Sequence, residues 1–154
     1  MSELSPYRPD TQLSVQHLGL SVSDVERSTA FYCDVLGARL LSETRAVSQF
    51  GFRRAIIRLG TDLIDLNQFD AHDGQPFDPN RTGLDHLAFA VGSSAEIDAW
   101  ARWLCANEVE CSPVRDWGAG LMLDFVDPDG IQIELFFLDH DRASNTMLDA
   151  WFGS

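Results

Sequence analysis

Apolar residues recur at every second position in two stretches of this chain. In "GLDHLAFAV", Leu87, Phe89 and Val91 take one face, while His86, Ala88 and Ala90 take the other. In "DFVDPDGIQIELFF", Ile131, Ile133 and Leu135 oppose Gln132, Glu134 and Phe136. A period of two predicts strands, with His86 and Glu134 each on the less apolar face. The first half carries the same pattern in "SVQHLGLSV", with His17, and "TDLIDLNQF", with Asp65. The spacings agree: 86 − 17 = 69 and 134 − 65 = 69. Leu18 and Leu87, Val22 and Val91, Ile64 and Ile133, Leu66 and Leu135, and Phe31 and Trp100 fall in that same register. Such a repeat sets a histidine and a carboxylate at equivalent positions of two copies of one unit, so pseudo-symmetry can bring all four together.

The remaining elements fill in around these strands. Ser23 and Glu26 have capping-box spacing and open a helix bearing Val25, Ala30, Phe31, Val35 and Leu36, closed by Gly37. Leu40–Val47, Phe52–Leu59 and Leu63–Gln68 read as strands, giving a βαβββ unit over residues 13–68. Residues 69–83, rich in Asp, Gly and Pro, form a linker in which His72 is a solvated loop histidine. A second unit over 84–138 repeats the order. It has strand Leu84–Val91, a helix over Ala95–Ala106 behind Ser93 and Glu96, and strands near Cys111–Val114, Leu121–Val126 and Ile131–Leu138. "DPDG" before the last strand reads as plain hairpin chemistry. Residues 1–12 read as a loose arm, and 139–154 as a tail whose Met147, Leu148, Trp151 and Phe152 predict a short helix seeking cover. The class is α+β.

Composition narrows the function. The 154 residues suit one domain, or two small modules sharing a core. Net charge is −13 with no basic run, which argues against nucleic acid and anionic membrane as partners. There is no apolar run of membrane-spanning length and no signal-peptide pattern at the start. Cys33, Cys105 and Cys111 form no paired framework or CxxC, as expected of reduced thiols in a cytoplasmic protein. Arg45, Arg53, Arg54 and Arg58 read as exposed strand arginines, and Trp100 and Trp103 as core residues of a helix.

Three pieces, "HLGLSVSDVERSTAFYCDVLGARLL", "GLDHLAFAV" and "DFVDPDGIQIELF", resemble the vicinal oxygen chelate superfamily, which includes glyoxalase I, bleomycin-resistance proteins, fosfomycin-resistance enzymes and extradiol dioxygenases. The similarity spans roughly residues 13 to 138. It implies two tandem βαβββ modules curled into a half-open mixed β-barrel around a metal, usually in a homodimer. In each module the first and fourth strands are then neighbours, so that His17 lies beside Asp65 and His86 beside Glu134. Gly19, Ser21, Ala88 and Ala90, small residues on the histidine faces, leave room for a small-molecule substrate.

The resemblance implies a divalent ion held by His17, His86 and Glu134, with Asp65 as a fourth ligand, bound directly or through water, or not bound at all. Imidazole suits zinc, nickel and iron, while carboxylate also suits manganese and magnesium. Glyoxalase I-like members usually carry Glu or Gln where this chain has the shorter Asp65. Three functions follow: a glyoxalase I-like isomerase or lyase with Glu134 as catalytic base, a dioxygenase or fosfomycin-type transferase, or a bleomycin-resistance-like drug binder. The acidic balance and the tryptophans Trp100, Trp103, Trp117 and Trp151 fit the last, whereas intact candidate ligands favour an enzyme.

Overall fold

The computed structural model describes residues 13–44, 49 and 51–143. The expectations for the N-terminal arm, for Arg45 and Val47 at the end of the second strand, and for the tail beyond 143 lie outside these residues. The elements run β1 (Leu18–Ser21), α1 (Val25–Ala30) continued by a π turn (Phe31–Val35), β2 (Arg39–Thr44), β3 (Phe52–Leu59) and β4 (Asp62–Phe69). The second half follows with β5 (His86–Ala90), α2 (Ser94–Ala106), β6 (Arg115–Asp116), β7 (Gly120–Val126) and β8 (Gln132–Leu138). They build two four-stranded mixed sheets with the same order, β1-β4-β3-β2 and β5-β8-β7-β6. In both, the first strand pairs parallel to the last and the other neighbours are antiparallel. The α+β class and the repeated module are thus as the alternation required.

The repeat holds at the level of strand register. Leu18 faces Ile64 and Gly19 faces Asp65, just as Leu87 faces Ile133 and Ala88 faces Glu134. One face of each sheet is buried under its helix: Ala55, Ile57, Ile64 and Leu66 in the first, Leu123, Phe125, Ile133 and Leu135 in the second. Both sets belong to one continuous core that also holds Val25, Ile97 and Leu104 from the helices. A one-residue slip would turn these aliphatic rows outward, so burial pins the register and fixes the histidine and carboxylate on the opposite face.

Several local details differ from the sequence reading. The N-cap of α1 is Asp24, whose Oδ1 accepts from the Arg27 N–H at 2.9 Å. Ser23 is not the cap; its hydroxyl donates to Asp129 Oδ1. Ser93 does cap α2, accepting from the Glu96 N–H, while the Glu96 carboxylate accepts from the N–H of Gly92 at 2.8 Å. Gly37, at φ +75°, follows the helix as expected. The second strand of the second module is only Arg115–Asp116, with Cys111 reduced to an isolated bridge to Phe125. Trp103 is 46% exposed rather than core, because its indole N–H reaches across to the Val35 carbonyl at 2.8 Å. Arg53 is not a free surface arginine: it donates to Glu26 at 2.8 Å and Gln68 at 2.6 Å.

The β7–β8 turn does more than close a hairpin. Asp127, 3% exposed, accepts the N–H groups of Asp129 and Ile131 on Oδ1 at 2.9 Å each, and the Tyr32 hydroxyl on Oδ2 at 3.2 Å. Asp129 accepts from Ser23, Arg27 at 2.8 Å and Ser28 at 3.1 Å. Tyr32 is fully buried. The turn therefore docks the second sheet onto the helix of the first module. Burial, then the Asp127 charge, pushes the Tyr32 hydroxyl upward; burial likewise pushes the Asp127 carboxyl up against its hydrogen bonds. No helix among the described residues is long and apolar enough to cross a membrane.

Candidate metal and substrate face

His86 and Glu134 share one concave face. His86 pairs in register with Gln132 and Ala88 with Glu134, so the imidazole and carboxylate are diagonal neighbours on adjacent parallel strands. Both line a cavity of about 1540 Å³ over the second sheet. His17 is exposed at the residue just before β1, and Asp65 sits in β4 of the first sheet, beside Gly19 and 3.4 Å from Arg54. Neither lines that cavity. Among the described residues no three His, Cys, Asp or Glu side chains converge on one point. One chain thus brings together two of the four expected ligands and sets the other two on the matching sheet.

Both histidines are held the same way. The His86 ring meets Asp85 Oδ2 at 2.7 Å through Nδ1, and His17 Nδ1 meets Gln16 Oε1. Asp85 and Gln16 are again 69 residues apart, 85 − 16 = 69. In the tautomer where Nδ1 donates to that oxygen, the Nε2 lone pair is left for a ligand. That is the arrangement in which an outer oxygen orients a metal-ligating imidazole. The donor chemistry therefore fits a divalent ion.

Asp124 and Arg115 belong to this face and were missed. Asp124 is the in-register neighbour of Glu134 on β7, and its carboxylate pairs with the Arg115 guanidinium. Burial first, then Asp124, pushes the Glu134 carboxyl above its ordinary value, while His86 and Arg115 pull it down. The alternation of "LMLDFV" put Asp124 on the correct side, but its place opposite Glu134 depends on the length of the intervening turn. His72 stays a loop residue, its Nδ1 accepting from the Gly74 N–H at 2.9 Å. All three cysteines are free thiols, with Cys111 at the cavity wall and pushed up by burial.

Two repeated βαβββ modules, each with a histidine and a carboxylate in one register, define a class of paired-module fold. The family model for the Glyoxalase/Bleomycin resistance protein/Dioxygenase superfamily matches residues 14–135, and the chain belongs to that superfamily. It is 33% identical over 124 residues to YaeR of Escherichia coli K12, covering 79% of this chain and 94% of that protein. It is 32% identical over 124 residues to the metallothiol transferase FosB of Staphylococcus saprophyticus, covering 79% and 75% of the two chains. Among solved structures, a glyoxylase/bleomycin resistance protein/dioxygenase domain from Frankia sp. EAN1pec aligns with a TM-score of 0.77 at 28% identity, covering 84% of this chain and 95% of that one.

Proposed function

We propose that this chain is a metal-dependent enzyme of the glyoxalase I kind, an isomerase or lyase that acts on a small oxygenated molecule and works as a homodimer. The observation that carries this reading is the identical register of His17 with Asp65 and of His86 with Glu134 on two matching sheets. One chain offers two donors on its concave face, so a second copy supplies the third: His17 of one copy joins His86 and Glu134 of the other. Two imidazole Nε2 lone pairs and a carboxylate suit zinc, nickel, iron or manganese. When bound, such an ion supplies Lewis-acid polarisation of the substrate oxygens.

The chain's own groups do the rest. Asp85 holds the His86 ring through Nδ1, which leaves Nε2 as the nitrogen for a ligand. Glu134 takes a proton from the carbon beside the substrate carbonyl; a carboxyl raised by burial and by Asp124 is a better base for that task than an ordinary one. Asp65, shorter and tied to Arg54, serves as a fixed ligand or orienting group. A fosfomycin-type thiol transfer is the second reading, favoured by the FosB likeness. The lining opposes it, since among its described residues Glu110, Asp124 and Glu134 face a single guanidinium, Arg115. Sequestration of a drug, as in bleomycin-resistance proteins, would leave these donors without a purpose.

Mixing variants tests the shared site. His17→Ala and His86→Ala homodimers should each lose nearly all bound metal. Co-refolding the two should restore metal to the mixed dimers, where one of the two sites keeps both histidines. No recovery, or a full metal complement in either variant, refutes the shared site.

A further inference from the structure

We infer that the substrate carries, besides its chelating oxygens, a neutral apolar body about the size of an aromatic ring, seated against Trp117. This rests on the proposed function and adds the substrate class. The concave face is banded. Glu134 and Asp124 form one polar row across β8 and β7, and the next row, Ala90, Phe136 and Met122, is apolar across β5, β8 and β7. Leu138 continues the apolar side one step further, opposite Gly120. All of these apart from Gly120 line the cavity, as does Trp117.

Trp117 stands in the β6–β7 turn at the end of this apolar band, 62% exposed, yet its loop is held. The Trp117 N–H donates to the Gly120 carbonyl at 2.9 Å, and the Gly118 N–H to Asp116 Oδ1 at 2.8 Å. Arg142 grips both Asp116 oxygens, at 2.7 and 2.9 Å. A large exposed ring on a fixed loop at the end of an apolar band is a preformed wall for a flat apolar group. The charges select against the alternative. Among the described lining residues three carboxylates stand against one guanidinium, and Arg115 is already engaged by Asp124. A dianionic head group would be desolvated among these described lining residues with only the paired Arg115 to meet it, whereas a neutral body is not penalised.

Calorimetric titration of the manganese-loaded full chain with three oxygen-donor probes tests this: acetohydroxamate, benzohydroxamate and methylphosphonate. Benzohydroxamate should bind about 30-fold more tightly than acetohydroxamate, the gain expected from covering a ring. Trp117→Ala should remove about tenfold of that gain and leave acetohydroxamate unchanged. The inference is overturned if the two hydroxamates bind within about threefold of one another, or if methylphosphonate binds most tightly. It is also overturned if Trp117→Ala weakens both hydroxamates equally, or weakens only dimerisation in sedimentation, since the ring would then be an interface residue. Metal analysis of the same samples reads the proposed function separately. Trp117-dependent binding of benzohydroxamate to protein that retains no metal upholds the apolar seat and refutes the metal site.

Discussion

Replacing Asp127 with alanine should destabilise the protein severely although the residue lies outside the concave face. Its carboxylate satisfies three donors: the N–H groups of Asp129 and Ile131, and the buried Tyr32 hydroxyl. Leaving each buried donor unmet costs about 1–3 kcal/mol. The Asp129 N–H is only partly buried, and truncation also relieves a carboxyl that burial already disfavours, so about 3 kcal/mol is the expected total. For a chain of this length that lowers the melting temperature by roughly 6–12 °C. Asp127→Asn is the informative companion. Both backbone N–H groups use Oδ1, which asparagine keeps, and its amide can donate to the Tyr32 oxygen in place of the lost acceptor. That variant should cost under about 1 kcal/mol. Urea unfolding followed by far-UV circular dichroism at fixed pH would read both. The reasoning is refuted if Asp127→Ala lies within about 0.5 kcal/mol of wild type, or if the asparagine variant is as damaged as the alanine one.

The pH dependence carries a sign. Asp127 has its folded pKa raised, so its contribution to stability is fully present below the unfolded value of about 4 and is lost as pH rises through the folded value. Unfolding free energies of wild type should fall over that interval relative to Asp127→Asn, and parallel pH profiles would contradict this. Glu134→Gln should abolish single-turnover activity at saturating metal, whereas Asp65→Asn should weaken metal binding and keep measurable turnover; the reverse pattern exchanges their roles. Asp24→Ala should cost about 1 kcal/mol as the loss of a helix cap, read by thermal melting, and an unchanged midpoint would show that the short helix is held by packing alone.

The parts of this fold that repeat were the parts that could be read. Two strands with matching alternation and a constant spacing of 69 leave one register that buries Ile64, Leu66, Ile133 and Leu135 together, and the histidines and carboxylates follow. Phe52–Leu59 was bounded correctly because its neighbours, Gly51 and Gly60, break the pattern on both sides. Choices between adjacent polar residues could not be read. Ser23 and Asp24 are both able to cap, and the outcome turned on Asp129, more than 100 residues away, which claims the Ser23 hydroxyl. The turn "DPDG" looks the same whether it faces water or a neighbouring helix. The role of Asp127 came from Tyr32 on the first module's helix, a contact no local pattern encodes. Asp124 and Arg115 were hidden for a related reason, since only the hairpin length sets them beside Glu134.

The π turn at Phe31–Val35 gives the first module a latitude in helix length that the second does not have. A turn wound with i→i+5 bonds holds one more residue than an α turn, and Tyr32 lies inside it. Removing one residue between Tyr32 and Val35 would let the segment rewind as regular α with the flanking turns nearly in place, because a full turn takes about one residue fewer in α than in π. The Tyr32 hydroxyl would then stay near Asp127 and the Val35 carbonyl near the Trp103 indole. The matching helix Ser94–Ala106 is α throughout. The two copies of the unit therefore keep the same strand register while having diverged in how tightly their helices are wound. Indel tolerance should divide accordingly, with a one-residue deletion absorbed between Tyr32 and Val35 but rotating one side of α2 by about 100°, and with other single-residue changes best accepted in the 69–83 connection.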